Sequence, residues 1–206
     1  MTAPTTRSAT SCDVCERLRG ALPRDANWGE LVSHVERADY FELFGLARAY
    51  QVDVAALQAA YMAISRNIHP DRFALADAAI QSAAMRASAI VNRAYETLKD
   101  AFTRAEYLLE TAGGQTAAQD RRVPPELLGQ VMMMREELEE ARADSDDLRI
   151  QSIRAAVLEQ RRAAQSAVAE LCNRLADQSA EVRDALRLKL NGLKYLNNLL
   201  STIDTP

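Results

Sequence analysis

The chain has 206 residues, a net charge of −4 and only 5% aromatic residues; it is long enough for a hydrophobic core without disulfides and too acidic overall to favour a polyanion. Ala, Leu, Glu and Arg are abundant while Gly numbers 7 and Pro 6, which predicts an all-α protein and argues against nucleic acid as a partner. No apolar run reaches the length of a membrane span, the N-terminus lacks the apolar core of a secretory signal, and three cysteines do not form an extracellular disulfide framework. A soluble protein with no membrane partner is therefore expected, in a bacterial cytoplasm, or in the mitochondrial matrix if the source is eukaryotic.

Residues 1 to about 25 read as a mobile tail, followed by Trp28, Leu31 and Val35 at helical spacing, so that 1–37 is expected to be an N-terminal extension. The cluster from Tyr40 to Leu46 predicts a short helix closed by Gly45, with Tyr40, Phe41 and Phe44 packing on neighbours. From Asp53, a predicted N-cap, Leu57, Tyr61, Ile64 and Ile68 form one apolar stripe that stops at His69-Pro70-Asp71. Proline fixes its own φ, lacks an amide hydrogen and disfavours helical geometry in the preceding residue, so His69 should lie at or just past a helix end.

A second stripe runs through Ile80, Ala84, Ala87, Val91, Ala94 and Leu98. Its small alanines suit close approach to the first stripe in an antiparallel hairpin, with the tripeptide at the exposed end. Arg104 to Thr111 predicts a further short helix ending at Gly113-Gly114; residues 112–123 read as a linker, and Pro124-Pro125 as the opening of a new helix. Beyond it, stripes through Leu127, Val131, Met134 and Leu138, then Ile153, Val157, Ala164, Val168, Leu171 and Leu175, then Val182, Leu186, Leu193, Leu196, Leu200 and Ile203 predict an antiparallel three-helix bundle or coiled coil over 124–206.

Taken alone, His69-Pro70-Asp71 is turn chemistry. In context it follows a helix bearing Tyr61, Ile64, Ser65, Arg66 and Ile68, precedes Arg72-Phe73, and leads to Asn92-Arg93-Ala94-Tyr95-Glu96-Thr97-Leu98. With the upstream Tyr40-Phe41-x-Leu43-Phe44-Gly45-Leu46, this order closely resembles a J domain over about residues 38 to 100. Arg104-Ala105-Glu106-Tyr107-Leu108-Leu109 and Met134-Arg135-Glu136-Glu137-Leu138 narrow the resemblance to the HscB-type iron–sulfur co-chaperones, over roughly residues 38 to 203.

The resemblance implies a J domain with its connecting helix at 38–111 and a client-binding domain at 124–206. It implies that His69, Pro70 and Asp71, flanked by Arg66 and Arg72, engage and stimulate a DnaK-type ATPase, the specialised chaperone HscA, while the C-terminal domain presents the scaffold IscU. Aligned on the family pattern, the scaffold-binding positions are Leu128, Gly129, Met132, Met133, Glu136 and Tyr195. Gly129 and Met133 depart from the family's usual larger apolar and acidic residues. The residues themselves agree with a surface there: consecutive methionines 132–134 point about 100° apart and cannot all join one core stripe, and exposed thioethers suit protein contacts. The alternative is a general J-domain co-chaperone with a different client.

An enzyme is not expected: His69 and Asp71 flank a proline, only one other histidine exists, and neither a nucleophile nor a phosphate loop accompanies them. No cofactor is expected. Cys12-x-x-Cys15 supplies half the ligands of a structural zinc site and reads as an idle pair, against metal binding completed by a second chain or redox sensing. His34 reads as an ordinary helix histidine. The acidic run from Glu136 to Asp147 reads as a solvated helix face.

Overall fold

The computed structural model describes residues 13–19 and 27–205, and it is helical throughout these apart from turns, loops and short 3-10 segments. Nine helices are described: α1 (Asp13–Arg19), α2 (Trp28–Arg37), α3 (Tyr40–Phe44), α4 (Val54–Ile68), α5 (Ala78–Lys99), α6 (Ala101–Thr111), α7 (Pro125–Ala143), α8 (Asp147–Asn173) and α9 (Ala180–Asp204). They divide into two compact units, one ending at Arg104 and the other beginning at Ala105.

Local chemistry sets most of the boundaries. The Asp39, Asp53 and Asp77 carboxylates accept backbone N–H groups at the starts of α3, α4 and α5, and Ser179 does the same for α9, supplying partners for amides that a helix leaves open. Gly45 ends α3 in the left-handed region, at φ 68°. There the Arg19 guanidinium packs where a Cβ would go, at 2.7 Å, so any side chain would be strained by the backbone and would displace that guanidinium. The short helix expected from Arg104 begins earlier, at Ala101, because Asp100 caps it by accepting from the amides of Phe102 and Thr103 at 3.0 and 2.9 Å.

In the first unit, α4 buries Leu57, Ile64 and Ile68 against α5, which presents Ala84, Ala87, Val91, Ala94 and Leu98. Each large aliphatic side chain so buried contributes about 1.5–3 kcal/mol. Tyr61 stays half-exposed and instead stacks on Tyr95, with ring centroids 4.1 Å apart, and donates to Asn92 Oδ1 at 3.1 Å, closing the hairpin from outside. Phe41, Leu43 and Phe44 of α3 are buried, as are Trp28, Leu31, Val32 and Val35 of α2, which packs on α5. Part of the stretch read as a tail is a helix: α1 buries Cys15 and Leu18, rests on α4 and α3, and accepts a hydrogen bond from Asn67 Nδ2 at Leu18 O, 3.0 Å. Cys12 lies outside the described residues.

The second unit is the three-helix bundle. Val131, Leu138 and Ala141 of α7, Ile153 and Val157 of α8, and Leu196, Leu199, Leu200 and Ile203 of α9 form one core, with Leu127, Met134 and Ala164 packed against it. Turns at Ser145 and Gln178, both at positive φ, fall at the two expected breaks between helices. α9 buries a wider face than its sequence stripe: Leu190, Leu199 and Gly192 are added because α7 and α8 both lie on it, and Arg187 and Asn191 because Glu106 of α6 and the carbonyls of Asp120 and Arg122 meet them. Residues 112–123 are tied in as well: Asp120 is buried, and Asn191 Nδ2 donates to the carbonyls of Asp120 and Arg122 at 3.0 and 2.8 Å.

Candidate functional site

The His69 corner is built by what precedes and follows it. His69 ends α4 with φ −58° and ψ 128°, and Pro70–Phe73 continues as one 3-10 turn, with proline at its first position. The amide of Asp71 donates to His69 Nδ1 at 3.3 Å, and the Asp71 carboxylate lies 3.5 Å from the same nitrogen. Both side chains face solvent, at 58% exposure for His69 and 90% for Asp71, so they form an offered surface rather than an internal contact.

The corner is held rigidly from behind. Ser88 Oγ of α5 donates to Ile68 O at 3.1 Å, Phe73 meets Trp28 edge-on with ring centroids 4.5 Å apart, and Gln81 Nε2 donates to the carbonyls of Ala74 and Ala76 at 3.1 and 2.9 Å. Arg66 is exposed on the last turn of α4. Arg72 folds back: its Nη1 donates to Arg66 O at 3.0 Å and Asn67 Oδ1 at 3.4 Å, so part of its donor capacity braces the turn. Arg48 pairs with Asp39 and is not an isolated cation.

On α7 the inward register of Val131, Leu138 and Ala141 leaves Leu128, Gly129, Met132, Met133 and Glu136 outward. Leu128 is 40%, Met132 56% and Met133 62% exposed, and Tyr195 on α9 is 37% exposed. Gly192, one turn before Tyr195, sits so close to α7 that an added Cβ would lie 2.7 Å from Leu127 Cδ2. Tyr195 instead lines a cavity with Ala117, Ala118, Arg121, Asn191, Lys194 and Asn198. The acidic residues of the 136–147 run are exposed, Glu140 pairing with Arg149 at 2.9 Å; Arg142 lies among them but donates to the carbonyls of Thr202 and Thr205 at 2.7 Å each, closing the end of α9.

The motif segment 104–109 has identifiable structural roles. In the first unit, Arg104 is buried, its Nε donating to Tyr50 O at 2.7 Å and its Nη1 to Leu98 O at 2.5 Å. In the second, Glu106 receives both Nη1 and Nη2 of Arg187 at 2.5 Å, while Arg187 Nε donates to Asn191 Oδ1 at 3.1 Å. Nearby, Arg122 holds the Asp120 carboxyl well below its ordinary value, at about 2, chiefly through side-chain hydrogen bonds and then its backbone amide.

One grouping escaped the sequence reading. Cys15 Sγ of α1 lies 3.4 Å from His34 Nε2 of α2, and with Glu42 of α3 the three donor atoms fall within 4.8 Å of one another. Their separations of 19 and 27 residues along the chain carry no periodic signal; only packing of three helices brings them together.

Residues 123–204 match the family model described as the HSCB C-terminal oligomerisation domain. The co-chaperone protein HscB homolog of Chromobacterium violaceum is 39% identical over 118 residues, covering 57% of this chain and 67% of that protein. Among solved structures, the chaperone HscB from Vibrio cholerae superposes with a TM-score of 0.69 at 31% identity, covering 81% of this chain and 96% of that one. The human co-chaperone protein HscB has the same fold, with a TM-score of 0.70 at 22% identity over 98% of this chain and 92% of its own. With the hairpin corner and the three-helix bundle both in place, and with relatives of this identity matched over two thirds or more of their length, the chain belongs to the HscB co-chaperone family.

Proposed function

We propose that this protein stimulates ATP hydrolysis by an HscA-type chaperone and delivers an IscU-type scaffold to it, in support of iron–sulfur protein maturation, without performing chemistry of its own. In this reading residues 38–111 act on the motor, residues 124–206 hold the client, and 112–123 connect them. The observation that carries it is the corner at the end of α4: an imidazole and a carboxylate displayed to solvent on a turn that Pro70, Ser88 and the Trp28–Phe73 contact hold in one shape. A preorganised polar surface of this kind binds one conformation of a partner with little ordering cost, and binding the hydrolysing conformation better than the resting one accelerates turnover. Arg66 adds positive charge beside it, while Arg72 both adds charge and braces the turn.

The scaffold surface is Leu128, Gly129, Met132, Met133 and Glu136 on α7, with Tyr195 contributed by α9. Its support is the exposure of three large apolar side chains on one helix that already has a buried face. Engaging motor and client with one chain raises the effective concentration of each for the other.

The test measures ATPase turnover of HscA and of a general DnaK, each with and without IscU. Selective, synergistic stimulation of HscA is expected, with His69→Gln abolishing it in a protein of unchanged helicity. Met132→Glu should remove the IscU synergy while leaving scaffold-independent stimulation intact. Equal stimulation of both chaperones, indifferent to IscU, would instead mark a general J-domain protein; full stimulation by His69→Gln would overturn the role of the corner.

A further inference from the structure

We infer that Cys15, His34 and Glu42 form a zinc site that fastens α1 onto the first unit. The three donors come from three different helices, and their spacing suits a tetrahedral ion: sulfur and nitrogen ligands at ordinary zinc distances of about 2.3 and 2.0–2.1 Å lie about 3.6 Å apart. Cys15 Sγ and His34 Nε2 are 3.4 Å apart, and the Glu42 carboxylate completes a set within 4.8 Å. Glu42 is exposed in the first turn of α3 and brings a negative charge beside the buried thiol and the half-buried imidazole.

The donor chemistry selects the ion. A thiolate with an imidazole disfavours magnesium and calcium, which take oxygen ligands, and suits zinc, which accepts sulfur, nitrogen and carboxylate oxygen together. Binding expels the Cys15 thiol proton to solvent and uses the neutral imidazole, so the thiolate–zinc bond forms without any redox partner. Three protein donors leave one tetrahedral position to water or a further donor.

The site lies where fastening has an effect. α1 is seven residues long, too short to be stable by itself, and it packs on α4 with Leu18 O receiving the amide of Asn67, two residues before His69. A cation joining Cys15 to α2 and α3 therefore holds α1 against the last turn of α4, behind the corner. The site is independent of which chaperone or client the protein serves.

The full-length protein, stripped of metal, is titrated with zinc alone and separately with cobalt as a spectroscopic probe. One ion per chain is expected, with a thiolate-to-cobalt charge-transfer band and a rise in the thermal midpoint of Trp28 fluorescence on zinc addition. Because even groups that merely orient ligands change metal affinity by about 10–100-fold, His34→Gln should weaken zinc binding by more than about tenfold. Cys15→Ser should abolish the band, and Cys12→Ser should keep it. His34 is only half-buried, so its variant remains informative if Cys15→Ser fails to fold. No bound zinc, wild-type affinity in His34→Gln, loss of the band in Cys12→Ser, or one ion per two chains would each overturn the assignment.

Discussion

Removing the Glu106 carboxylate should be the most costly single polar change in the second unit. Arg187 is 1% exposed, and its guanidinium is neutralised by two hydrogen bonds to Glu106 and one to Asn191. Breaking a buried pair by deleting one partner costs about 3–5 kcal/mol, because the surviving charge stays desolvated. The Glu106 side chain retains 24% exposure, which would let water reach the abandoned guanidinium, so Glu106→Ala is expected at the lower end, about 3 kcal/mol. That is roughly a hundredfold in the folding equilibrium.

Urea denaturation followed by far-ultraviolet circular dichroism reads the loss, with fluorescence of Trp28, the only tryptophan, as a separate probe of the first unit. Replacing both partners, Arg187→Met with Glu106→Ala, removes the stranded charge, so the double variant should be more stable than the sum of the single losses predicts, with a coupling of about 1–3 kcal/mol. A Glu106→Ala cost under about 1 kcal/mol, or the same cost when Arg187 is already Met, would refute the reasoning.

Asp120 is held at about 2, below its ordinary value of 3.8, so it contributes stability that is present above that ordinary value and is lost as pH falls towards 2. Asp120→Asn should therefore lower stability at neutral pH and flatten the loss between about pH 4 and 2, which denaturation midpoints across that window will show. Gly129 sits inside α7 with nothing within 4 Å of an added Cβ, so Gly129→Ala should raise stability by roughly 0.5–1 kcal/mol, seen as a higher thermal midpoint. An unchanged or lower midpoint would mean that the space at Gly129 is occupied.

The amino-acid sequence by itself determined the all-helical class, the break at His69-Pro70-Asp71 and the paired stripes, because these rest on interactions within a few residues. Asp53 and Asp77 cap the amides beside them, Pro70 forbids helix continuation, and a helix that buries one face repeats its apolar residues every three or four positions. The same locality made the α7 face legible: once Val131 and Leu138 point inward, Met132 and Met133 cannot.

What only the tertiary structure decided involves partners distant in sequence. Arg187 is buried against Glu106, 81 residues away, a pairing with no local signal; Leu190 and Leu199 join the core only because two helices rather than one lie on α9. Likewise Cys15 reads as one half of an idle Cys-x-x-Cys pair and His34 as an ordinary helix histidine, and they become a candidate metal site because α1 and α2 bring their side chains within 3.4 Å. Periodicity reports which face of a helix is apolar. It carries no information about which other helix covers that face, and long-range pairings of charge, thiol and imidazole follow from that second choice.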